Sequence, residues 1–68
     1  MAKYYVNKKK DSKGDHEVHK QGCRWMPKEE NRIYLGDFTS CEQAVSTAKA
    51  YYDHVNGCYF CSNECHTG

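Results

Sequence analysis

Apolar and polar residues alternate in short runs through the first half of the chain, then recur at spacings of three and four in the second half. Lys3-Tyr4-Tyr5-Val6-Asn7 is β-prone, and the polar run from Lys8 to Asp15, which contains Gly14, reads as a hairpin loop. Asp15-His16-Glu17-Val18-His19-Lys20, bounded by Gly14 and Gly22, is too short for a globular helix and suits a second strand. Residues 21–31 read as a long loop carrying Trp25, Met26 and Pro27. A third strand fits Arg32 to Phe38, with Ile33 and Leu35 on one face.

Thr39-Ser40-Cys41-Glu42 then matches a capping box, in which Thr39 and Glu42 would satisfy each other's amides. Cys41, Val45 (with Ala44), Ala48, Tyr52 (with Tyr51) and Val55 follow as one apolar stripe, and Asn56-Gly57 supplies a stop. The spacing predicts a helix from Ser40 to Val55. The expected fold is α+β: a three-stranded antiparallel meander in β-β-β-α order, with the helix on one face and a cysteine-rich tail. Val6, Val18, Ile33 and Leu35 should meet the helix, leaving Tyr5, His19 and Tyr34 for the uncovered face.

The chain has 68 residues, so it is expected to be one domain over residues 1–68, and it is short enough to need a staple beside its core. Five cysteines can supply one, and their odd number prevents complete pairing within the chain. The residues after Met1 turn charged at once, without the apolar segment of a signal peptide, and no run is long enough for a membrane span. The expectation is a cytoplasmic protein with no membrane contact, whose cysteines are thiols or metal ligands. Net charge is only +1, but nine basic and five acidic residues lie up to Arg32, against one basic and four acidic beyond it. That is a mild dipole, well short of the basic excess of a dedicated nucleic-acid binder.

Cysteine placement narrows the chemistry further. Cys58, Cys61, Cys65 and His66 crowd the end of the chain, and Cys58-x-x-Cys61 has the spacer that lets a tight turn offer two sulfurs to one ion. Cys65 and His66 are neighbours that project differently, so one of them serves as third ligand, with Cys65 preferred. A helix of Ser40 to Val55 would be about 24 Å long, leaving Cys41 at the far end from Cys58. The end of the second strand should instead lie near the tail. The expected ligands are therefore Cys23, Cys58, Cys61 and Cys65 around a structural zinc ion, with His19 or His66 as alternates. The competing states are a thiol cluster, with Cys23 bridged to a tail cysteine, and inert cysteine.

Other chemistry is weaker. The Cys-x-x-Cys pair also fits thiol redox proteins, but Cys58 follows a helix end, where the dipole opposes a thiolate. His16-Glu17-Val18-His19 falls one residue short of the zinc-protease pattern, and on a strand the two histidines should diverge, one packed and one exposed. No catalytic constellation stands out, so an enzyme is not expected. Binding is more credible. Lys8, Lys9, Lys10 and Lys13 decorate the first hairpin, and Trp25, Tyr59 and Phe60 offer aromatic surface to a protein partner or, as the alternative, to nucleic acid.

Taken together, Tyr4-Tyr5-Val6-Asn7, Gly14-Asp15-His16-Glu17-Val18-His19-Lys20, Gly22-Cys23, Leu35-Gly36-Asp37-Phe38, Ala44-Val45, Ala48-Lys49 and Gly57-Cys58-Tyr59-Phe60-Cys61 resemble a group of short bacterial proteins described only as hypothetical. The resemblance covers nearly the whole chain. It implies a bacterial, cytoplasmic, stand-alone protein and brings no activity or functional residue with it.

Overall fold

A computed structural model describes residues 1–67. Its elements are β1 (Ala2–Asn7), β2 (His16–Lys20), β3 (Arg32–Phe38), α1 (Cys41–Ala48) and β4 (Val55–Gly57), with short 3-10 turns at Glu29–Asn31 and Asn63–Cys65. The sheet has four strands in the order β3-β1-β2-β4. β1 pairs antiparallel with both β2 and β3, while β4 runs parallel to β2. The α+β class stands, and the three-stranded antiparallel sheet is corrected to a mixed four-stranded one.

The added strand comes out of the expected helix. α1 ends at Ala48, eight residues after it begins, and turn bonds from Ala50, Tyr51 and Tyr52 back to Thr47 and Ala48 unwind the chain. Two tyrosines and a β-branched valine are weak helix formers, and the free edge of β2 offers backbone partners they can use. His16 accordingly donates its amide to the His54 carbonyl, and Val55, Asn56 and Gly57 pair with His16, Glu17 and Val18. The helix start also differs from the expected capping box. Ser40 is the cap residue without a side-chain cap bond, and Gln43, not Glu42, reaches back to accept from the Thr39 amide and hydroxyl.

Side-chain alternation divides the sheet. Tyr4, Val6 and Val18 bury one face against Cys41, Ala44 and Ala48 of α1, with Ile33, Leu35, Tyr52 and Val55 packed around them. His16 joins this side, stacked on Tyr52 with ring centroids 3.6 Å apart and its Nδ1–H donating to the Asn7 carbonyl. On the other face Tyr5 lies between its partners Tyr34 and His19. His16 and His19 do diverge, but both are buried rather than one exposed.

The tail closes the structure with a covalent bond. Cys41 at the start of α1 is bonded to Cys65, whose Cα lies 6.2 Å away. Cys41 is within reach of the tail because α1 is about 12 Å long and not the expected length of about 24 Å, and the chain after β4 turns back towards its first residue. Gly57 permits that return. A Cβ there would lie 2.6 Å from the Ser62 carbonyl oxygen and 2.7 Å from Cys65 Cβ. Buried Asn56 holds the last described residue, exchanging hydrogen bonds of 2.9 Å with the Thr67 amide and carbonyl.

Candidate metal centre

Two of the five cysteines are spent in the Cys41–Cys65 bridge, and Cys23, Cys58 and Cys61 remain free. These three converge on His19, with all four donor atoms within 4.8 Å of one another. Cys65, expected as a ligand, is instead consumed by the disulfide, and His19 occupies the fourth position. His66 lies elsewhere: its Nδ1–H donates to the Gly57 carbonyl at 3.0 Å, and its ring meets the edge of Tyr59.

Each donor is placed by a separate local device. His19 is on the open face of β2, because alternation puts Val18 and Lys20 on the other side. The chain then makes a tight turn, in which Gly22 takes φ +93° and the Cys23 amide donates to the Lys20 carbonyl. That turn, of a kind glycine favours at its third position, brings Cys23 back beside His19. Cys58 follows β4 directly and donates its amide to the Val18 carbonyl, continuing the ladder. From there the Ser62 amide bonds back to the Cys58 carbonyl, which curls the Cys-x-x-Cys segment and swings Cys61 over the end of β2. Its Sγ accepts the Lys20 amide at 3.3 Å.

The spacing is that of a ligand set. Cys23 Sγ lies 3.9 Å from Cys58 Sγ and 3.7 Å from His19 Nδ1, while Cys61 Sγ lies 3.8 Å from the same nitrogen. A tetrahedral ion with sulfur at about 2.3 Å and nitrogen at about 2.0 Å requires edges of about 3.8 Å between sulfurs and about 3.5 Å between sulfur and nitrogen. No pair here approaches the 2.05 Å of the Cys41–Cys65 bond. The donors fit zinc or another ion that accepts thiolate and imidazole in a tetrahedron.

The electrostatics suit the same use. Burial lowers the pKa of His19, keeping the imidazole neutral with a lone pair to give. Burial, and then the hydrogen bond with Cys23, pushes the Cys61 thiol up to about 12, so a cation must enter before this sulfur becomes a thiolate. His19 Nε2 is buried and makes no hydrogen bond among the described residues; the nearest carboxylate oxygen, Glu17 Oε1, is 3.7 Å away. Glu17 shares the open face with His19 and stands where a carboxylate can orient a metal-bound imidazole. Burial raises its own pKa, with the Asp11 charge adding to the effect.

Comparison with protein-family models, with curated proteins and with solved structures finds no match to this chain. Among the residues expected to bind partners, Trp25, Tyr59 and Phe60 gather at the rim of the site, all more than half exposed. Trp25 and Phe60 rings are 5.6 Å apart, and Tyr59 and Phe60 5.2 Å. Lys8, Lys9, Lys10 and Lys13 are exposed on the β1–β2 loop. Sequence reasoning ranked His19 below Cys65 and missed Glu17. The signal for His19 was its place four residues before Cys23 across a glycine turn. No described helix is long and apolar enough to cross a membrane.

Proposed function

We propose that this chain is a small non-enzymatic binding module whose tail is clasped to the sheet by a structural zinc ion on His19, Cys23, Cys58 and Cys61. The observation that carries the proposal is the convergence of four donors from three separate segments within 4.8 Å of one another. Four protein ligands leave no open position for water or substrate, which is the mark of structural rather than catalytic sites. The two ends of the clasp, the turn after β2 and the segment after β4, are also those that carry Trp25, Tyr59 and Phe60, so the ion would set the shape of the exposed aromatic surface. An ion would also protect the three thiols from oxidation in any compartment where the Cys41–Cys65 bond persists.

Cobalt substitution tests this reading. Titration of cobalt(II) into the metal-free protein should give the strong visible bands of a tetrahedral thiolate site, saturating at one equivalent and displaced by zinc. A weak octahedral spectrum would refute the four-ligand assignment.

A further inference from the structure

We infer that the face of the sheet opposite α1, continued by the aromatic rim of the metal site, is a stacking platform for single-stranded nucleic acid. The inference rests on the clasped binding module proposed above, because the clasp fixes where Trp25 and Phe60 stand. Tyr34, Tyr5 and His19 are cross-strand neighbours in one row on this face, and the Tyr5 and Tyr34 rings lie 5.4 Å apart. Over His19 lies a cleft of about 320 Å³, floored by His19 and Cys58 of the metal site and lined by Asn7, Glu17, Trp25, Tyr59 and Phe60. Exposed rings thus stand on either side of buried His19, on strand and on loop.

Cations are interleaved with them. Arg32 sits 4.7 Å from the Tyr5 ring, Arg24 5.5 Å from Trp25 and Lys3 6.0 Å from Tyr34. The acidic counterweights include Asp37, which is 3.9 Å from Lys3 and accepts the Tyr34 hydroxyl, and Glu17 with Asp11 and Asp15 acting on it. Exposed Lys8, Lys9 and Lys10 follow Asn7, one of the cleft's lining residues, along the chain. Exposed rings alternating with cations match splayed bases on a charged backbone, since every base has a face to stack and every linkage a negative charge. A duplex keeps its base faces covered, so it offers these rings nothing to stack on.

The test uses the zinc-loaded full chain, with its ion confirmed by native mass in the same sample, and a labelled oligothymidylate of roughly a dozen nucleotides, within the site sizes such surfaces cover. Anisotropy should rise on titration and Trp25 emission should be quenched. Raising salt from roughly 50 to 200 mM should weaken the complex at least several-fold, and a duplex of equal length should compete poorly. Phe60→Ala and Tyr34→Ala, both at exposed positions, should each weaken binding roughly tenfold, and Arg24→Ala should flatten the salt dependence. Metal-loaded protein that leaves the oligonucleotide unmoved, or variants that bind it as well as the parent, would overturn the inference and leave the face to a protein partner. Loss of the ion itself would instead strike at the clasp.

Discussion

The two faces of the sheet are tied down by the same side chain used at two distances. On the helix face Cys41 and Cys65 are joined at 2.05 Å; on the open face Cys23 and Cys58 stop at 3.9 Å, with His19 and Cys61 completing a ring of donors. The first pair is a disulfide, whereas the second is too wide for a bond and at the separation that two ligands of one ion take. The bridge sits over an apolar core, where a neutral disulfide adds no charge to bury. The donor cluster gathers three thiols and an imidazole nitrogen, groups that lose little water to a cation able to take all four.

That contrast predicts a ranking. Stripping the ion with a chelator, or Cys58→Ser, should destabilise most, by an amount on the order of 10 kcal/mol if the site behaves like other structural zinc sites; thermal unfolding with and without chelator measures it. Cys41→Ser with Cys65→Ser opens a loop spanning a sequence separation of 24 and should cost about 3 kcal/mol in denaturant titrations. A larger loss from the disulfide than from the ion would reverse the order and break the comparison.

Gly57→Ala tests the joint on which both clasps depend, because its Cβ would press on the Ser62 carbonyl oxygen and Cys65. The expected penalty is about 2 kcal/mol, and an unchanged denaturation midpoint would show that the tail has another route back. Glu17→Gln keeps the shape but removes the carboxylate near His19 Nε2. It should weaken zinc affinity about tenfold in a competition titration while leaving the metal-free stability nearly constant.

The smallest effect concerns acid. With its pKa lowered by burial, His19 contributes stability that is full above the ordinary imidazole value of about 6.5 and is lost as pH falls from there towards the lowered one. Metal-free protein should therefore lose stability first in this window, and His19→Gln should flatten it. In the metal-binding reaction the sign is shared by the thiols. Because Cys61 starts as a thiol pushed up to about 12, ion binding must release its proton, and affinity should climb with pH.

Much of this was legible from local pattern. Hydrophobic alternation placed β1, β2 and β3, and the Cys-x-x-Cys spacer pointed to Cys58 and Cys61. What was not legible depended on tertiary competition. The stripe through Tyr52 and Val55 looked helical because those residues do face the core, yet they reach it from a turn and an edge strand, which periodicity alone does not separate. One misplaced helix end then misdirected two cysteines: with the helix drawn too long, Cys41 seemed out of reach of the tail, and Cys65 was left over as a ligand. His19 was ranked second because no spacing rule ties a strand histidine to sulfurs some forty positions away; only strand order does.

The most direct measurement is native mass spectrometry of the zinc-reconstituted chain combined with alkylation of its thiols. The account predicts one zinc ion and one disulfide per chain, with Cys23, Cys58 and Cys61 shielded until a chelator is added and Cys41 and Cys65 unreactive until a reductant is. A chain that carries no zinc after reconstitution, or whose Cys23, Cys58 and Cys61 alkylate as fast with the ion as without it, would contradict it.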